Sequence, residues 1–165
     1  MLDYPGPDCE SIRGQWKAFE DMAEQGVTRT LSVSNFSPAQ LDCVLGAPGA
    51  KYKPLVNQLP FSVAYHPGGA AKTVAANKER GVLVQAWAPL GGSLGGRFSK
   101  TLQAKCGEVG KRYGKSWAQV ALRWIVQTGA SFTTQSQNPT HFAEDLEVFD
   151  FELSAEDMAT LDALA

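Results

Sequence analysis

The chain has little cysteine: three residues in 165, Cys9, Cys43 and Cys106. They are odd in number, far apart in sequence and form no CxxC pair. That pattern predicts reduced thiols in a cytoplasmic setting and offers no disulfide frame or zinc site. Histidine is scarcer still, with His66 and His141 alone, and the two do not have metal-ligand spacing. An excess of one charge is missing as well. The formal net charge is −2, which gives no electrostatic basis for binding nucleic acid or an anionic membrane. The densest basic spots, Lys51/Lys53 and Lys111/Arg112/Lys115, read as solvated surface. No signal peptide, transit peptide or membrane-spanning apolar run is expected. Asn35-Phe36-Ser37 matches the glycosylation pattern but carries no weight without a secretion signal.

What is present is a globular composition, 44% hydrophobic and 19% charged, and a length that suits one domain spanning residues 1–165 with a real core. Helical and strand-like stretches alternate. Ile12, Trp16, Phe19 and Ala23 line one face of a helix that should end at Gly26. A strand is expected over Thr28–Ser32, then a helix over Pro38–Leu45 opened by Ser37, Pro38 and Gln40 as a capping box. Strands are expected at Pro54–Gln58, Val82–Trp87 and Ser131–Thr134, and a helix at Ala70–Arg80 stopped by Gly81. Leu102, Cys106, Val109 and Tyr113 form a helical stripe, Ser116 and Gln119 a second capping box, and further helices start near Pro139 and after Ser154.

This βαβα rhythm predicts parallel strands covered by helices. Between the last two strands lie a Gly-rich stretch, Pro89–Gly96, and a surplus helix. In barrels the loops after strands seven and eight commonly bind phosphate, so the last two strands read as the seventh and eighth of a (β/α)8 TIM barrel. The fold class expected is therefore α/β, a partial (β/α)8 barrel made of roughly strands five to eight with their helices. Met1-Leu2 would be the end of strand four, and the front half of the barrel would be missing. No internal repeat is visible.

Ser34 and Asn35 fall at the carboxyl end of a strand, the edge that carries chemistry in α/β proteins. Their hydroxyl and carboxamide suit an amide-bearing ligand, although a βα turn rich in capping residues accounts for the same run. Gln58 ends a strand in a similar way. Trp87 stands at the end of its strand before Ala88-Pro89, where an indole face can take a planar ring or simply pack a barrel mouth. The glycines of Gly91-Gly92-Ser93-Leu94-Gly95-Gly96 miss the G-x-G-x-x-G spacing, so a loop closing over a phosphate chain is favoured over a Rossmann turn. Asp3 lies near a strand end, His66 in a loop, and His141 in the first turn of a helix whose amino terminus favours an anion.

These segments in this order resemble the carboxyl-terminal half of an aldo-keto reductase. The matching residues are Ser34-Asn35-Phe36, Val56-Asn57-Gln58, His66-Pro67, Ala86 to Gly91, Tyr113 to Ser116, Ala118 to Trp124, and Val148 to Ser154. The resemblance implies a (β/α)8 barrel that binds NADPH across its carboxyl-terminal face and reduces carbonyls by direct hydride transfer without metal. It places Ser34, Asn35 and Gln58 on the nicotinamide carboxamide, and Trp87 on the ring where tyrosine is usual. It puts Leu90, Gly92 and Ser93 over the pyrophosphate, and Ser136, Glu144 and Asp145 around the adenosine. The two family cations for the 2′-phosphate are Gln135 and His141 here, which weakens the case for NADPH over NADH. Asp3 stands at the family's substrate-polarising histidine, and a carboxylate donates no hydrogen bond unless protonated. The family's catalytic Asp, Tyr and Lys are expected upstream of Met1, leaving no proton donor here. The function expected is an NAD(P)H-dependent carbonyl reductase or alcohol dehydrogenase, incomplete in this chain and acting on a small carbonyl substrate. The alternative is a non-catalytic half-barrel remnant that binds cofactor or protein. Open strand edges predict self-association, or a partner that supplies the missing half.

Overall fold

A computed structural model describes residues 1–91 and 98–165. Its elements, in chain order, are α1 (Cys9–Glu24), β1 (Val33–Ser34), α2 (Pro38–Leu45), β2 (Val56–Pro60), α3 (Ala70–Lys78), β3 (Leu83–Trp87), α4 (Lys100–Gly110), α5 (Trp117–Gln127), β4 (Ser131–Phe132), α6 (Pro139–Leu146) and α7 (Ala155–Asp162). A one-turn 3₁₀ helix, Glu147–Phe149, follows α6. The fold is α/β, and the strands hydrogen-bond in the order β1-β2-β3-β4. The chain forms two compact units, one of Met1–Leu59 with Ala75–Gln85 and one of Pro60–Val74 with Ala86–Ala165.

In the first unit β1 and β2 are parallel, with Val33 opposite Asn57 and Ser34 opposite Gln58. Leu2 adds a parallel bridge to Val33, its N–H donating to Ser32 O at 2.9 Å and its carbonyl accepting from Ser34 N at 2.8 Å. That bridge agrees with reading Met1-Leu2 as the end of a strand. The expected strand at 28–32 is corrected: the regular ladder begins only at Val33. Leu31 contributes its carbonyl to Leu55 N at 2.9 Å, but a β-prone run makes a ladder only where a partner lies alongside. β2 likewise runs two residues beyond Gln58, to Pro60.

The core of this unit gathers Leu2, Ile12, Trp16, Leu31, Val33, Phe36, Leu41, Val44 and Val82. Burying such side chains contributes about 1.5–3 kcal/mol each. α1 starts at Asp8, whose carboxylate accepts from Ser11 N, and stops before Gly26, which takes the left-handed φ of 74° that ends helices. α2 has the expected capping box, Ser37 with Gln40. Because α1 packs on α2, Cys9 and Cys43 come to a Cα separation of 5.2 Å and form a disulfide, within the range a disulfide spans. This corrects the expectation of three reduced thiols, and the argument from cysteine to a reducing compartment loses its basis. Cys106 alone is free, and it is buried.

In the second unit Thr133 N donates to Ala86 O at 2.9 Å, joining the end of β3 to the β4 segment. α5 has the other expected capping box, Ser116 with Gln119, and buries Val120, Ala121, Leu122, Trp124 and Ile125. Trp124 stacks on Phe61 at 5.4 Å, and His66 lies 5.1 Å from the same indole. His66 is buried. Its ring nitrogens lie 2.9 Å from Ser62 O and 3.2 Å from Asp162 O, so it pins a turn to the end of α7. Among the described residues no helix is long and apolar enough to cross a membrane.

Candidate functional site

In the first unit the carboxyl ends of β1 and β2 bring four expected residues together. Ser34 is buried and sits opposite Gln58. Asn35 follows with φ of 64°, a left-handed conformation that Asn tolerates better than most residues because its short side chain bonds locally. Its N–H donates to Gln58 O at 2.9 Å. Its Nδ2 donates to Ser34 Oγ at 3.0 Å and to Asp3 O at 3.1 Å. Asp3 thus joins this cluster through its main chain, while the residue itself is exposed. Gln58 Nε2 donates to Gln85 Oε1 at 2.6 Å.

Gln85 was not singled out by its sequence context. The signal for it was the alternation of β3, in which Val84 and Ala86 are buried while Leu83, Gln85 and Trp87 share the other face. The cluster is built of hydroxyl and carboxamide groups, each able to donate and accept, as a ligand amide requires.

In the second unit a cavity of about 510 Å³ is lined by Trp87, Ala88, Pro89, Leu90, Thr133, Thr134 and Gln135. A neighbouring one of about 320 Å³ is lined by Leu90, Ser116, Trp117, Ala118, Thr134, Gln135, Ser136, His141, Glu144 and Asp145. Leu90, Thr134 and Gln135 belong to both, so the two form one groove from Trp87 to Asp145. Ala88 and Gly91 turn the chain after β3 with φ of 51° and 95°. A Cβ on Gly91 would come within 2.8 Å of Phe98 Cβ, so both its conformation and its space call for glycine.

At the far end Ser136 Oγ accepts from Asn138 N at 3.0 Å and lies 3.0 Å from His141 Nδ1. Asn138 caps α6 by accepting from Thr140 N. Burial pushes the Asp145 carboxyl above the ordinary carboxylate range; His141 pulls it back and Glu144 adds to the rise. Among the described lining residues there is no lysine or arginine. The expected places of Gly92 and Ser93 lie outside the described residues. Among the described residues no cluster of three or more His, Cys, Asp or Glu has metal-site geometry.

The model for "Aldo/keto reductase family" matches residues 1–165. Morphine 6-dehydrogenase of Pseudomonas putida is 34% identical over 173 aligned positions, 99% of this chain and 56% of that protein. Prostaglandin F synthase 1 of Bos taurus is 35% identical over 164, 95% of this chain and 50% of that protein. The crystal structure of an aldo/keto reductase from Brucella melitensis superposes with a TM-score of 0.80 at 25% identity, covering 99% of this chain and 59% of that one. The chain spans about half the length of the curated relatives it matches. It belongs to the aldo/keto reductase family.

Proposed function

We propose that this chain is the part of an NAD(P)H-dependent carbonyl reductase, or alcohol dehydrogenase, that holds the cofactor, and that its strands and helices are strands five to eight of a (β/α)8 barrel. The observation that carries this is the groove from Trp87 to Asp145, whose lining suits a flat ring, a polar chain and a ribose in turn. When bound, the nicotinamide supplies the hydride. The chain's own residues bind and orient. In the first unit Ser34, Asn35 and Gln58 receive the carboxamide. In the second, Trp87 offers its face to the ring, and Ser136, Glu144 and Asp145 accept from the adenosine hydroxyls. Gln135 and His141 replace the two cations of the family, so discrimination in favour of NADPH is weak. NADH is as suitable a partner, and the substrate is a small carbonyl compound.

A second reading, a cofactor-binding or protein-interaction module without catalysis, is favoured by Asp3. It is exposed where the resemblance puts a polarising histidine. Titrating the 165-residue chain with NADH and NADPH, followed by tryptophan quenching with Trp87→Phe as control, tests the cofactor reading. Saturable quenching lost in W87F supports it, and absence of saturable binding overturns it. Turnover of a reactive aldehyde by the same pure chain separates the two readings: it supports the reductase, and its absence with nucleotide binding retained favours the module.

A further inference from the structure

We propose that Asn57 is a positioning residue for the cofactor's nicotinamide end: it clamps the main chain of Phe36 by both its N–H and its C=O and so holds Asn35 in the left-handed conformation in which it presents its groups. This rests on the reading of Ser34, Asn35 and Gln58 as the carboxamide site.

The β1–β2 ladder ends at the pair Ser34–Gln58, one residue before Asn35 turns away. Phe36, the next residue, is 1% exposed, so its peptide N–H and C=O cannot rely on water. Asn57 supplies both partners. Its Oδ1 accepts from Phe36 N at 3.3 Å and its Nδ2 donates to Phe36 O at 2.8 Å. The side chain amide thus stands in for a strand neighbour just past the point where the ladder stops.

Asn57 is fully buried, a position where a strand residue is ordinarily apolar and where an amide is costly unless its bonds are made. They are made: the remaining Nδ2 proton goes to Asn77 Oδ1 at 3.0 Å. Asn77 is itself buried near the end of α3. Its carbonyl accepts from Arg80 N and Val82 N, both at 3.0 Å, so it is anchored to the turn that leads into β3.

The two faces of β2 divide the work. Gln58 lies in the carboxamide cluster, and Asn57, one residue earlier and on the opposite face, fixes the main chain of Phe36 directly after Ser34 and Asn35. Asn35 is bracketed, by Gln58 O on its own N–H and by Asn57 on the next peptide. Releasing one bracket lets φ at Asn35 return to the common region and takes Nδ2 away from Ser34 Oγ and Asp3 O.

The test uses the whole chain, NADH, and ADP-ribose as a probe that lacks the nicotinamide. Asn57→Leu keeps an uncharged side chain of similar size but has no hydrogen-bonding groups. The expected result is NADH binding weakened at least tenfold, ADP-ribose binding changed by less than about twofold, and Phe36 amide hydrogen exchange accelerated at least tenfold, the tenfold loss being the ~1.4 kcal/mol of one ordinary hydrogen bond. Equal weakening of both nucleotides, or unchanged Phe36 exchange, overturns the proposal, since a merely structural residue moves both ligands together. If N57L does not fold, Asn77→Leu removes the support behind Asn57, and the same split between the two nucleotides is required. If the unsubstituted chain binds ADP-ribose but not NADH, the carboxamide site is wrong, and the Phe36 exchange still decides whether Asn57 holds the turn.

Discussion

Reduction of the Cys9–Cys43 disulfide is expected to cost the chain a large share of its stability. The bond joins residues 34 apart, and closing a loop of that length removes about 4 kcal/mol of chain entropy from the unfolded state at 25 °C. For a chain of this size each kcal/mol moves the thermal midpoint by about 2–4 °C, so the reduced protein should melt about 8–16 °C lower. The effect acts through the first unit, where Cys9 opens α1 and Cys43 is buried on α2 within the shared apolar cluster. Arg13 Nε also reaches Cys43 O at 3.2 Å, tying the same two helices a second time.

Thiol counting makes the test sharp. Burial pushes the Cys106 thiol up to about 11, so at pH 8 it stays protonated and, being buried, does not react. The folded, unreduced chain should therefore show no reactive thiol, and the denatured unreduced chain a single one, from Cys106. Cys43→Ser should reproduce the loss in melting temperature and make the protein indifferent to reductant. All three thiols reacting in denaturant without reductant, or a midpoint shift below about 2 °C on reduction, would refute the reasoning.

Three other outcomes are expected. Gly110→Ala should destabilise the second unit by about 1–3 kcal/mol in urea unfolding, because a Cβ there would overlap the Lys115 carbonyl oxygen where α4 turns toward α5. Asp145→Asn should raise NADPH affinity relative to NADH in nucleotide titrations, because it removes a negative charge from the lining at the far end of the groove. Stability should fall on the acid side through Asp42, which the Arg80 guanidinium holds below the ordinary carboxylate range. A depressed folded value means stability present above about pH 4 and lost as the pH falls through it, so Arg80→Met should flatten that limb of a pH-dependent urea series.

The elements that the sequence discloses are those whose cause is local. Ser37–Gln40 and Ser116–Gln119 cap their helices within one turn, and Gly26 and Gly81 take the positive φ that stops a helix wherever it falls. Strand order follows from the alternation of strands and helices. The proposed site residues Ser34, Asn35, Gln58 and Trp87 stand out because chemistry in this architecture gathers at strand ends, and a strand end is marked by the polar residue that follows an apolar run.

What the sequence hid depends on partners far along the chain. Cys9 and Cys43 have no motif spacing and meet only because α1 packs on α2. Glu20 interrupts the reading of α1 as a polar-backed stripe: it is buried, and its carboxylate accepts from the N–H groups of Lys51 and Tyr52 at 2.7 and 3.0 Å. His66 looks like a loop residue, yet it closes a turn onto a helix 96 positions away. Asn57 reads as a residue that ends a strand, whereas its amide completes a turn 21 positions earlier. In each case a buried polar side chain satisfies main-chain groups of a distant segment. No window of ten or fifteen residues contains both halves of such a bond, and hydrophobic periodicity scores the polar half as solvent-facing. The same rule says where to look when only a sequence is at hand: a polar residue set at an apolar position of a strand or helix marks a loop elsewhere that must be held in shape.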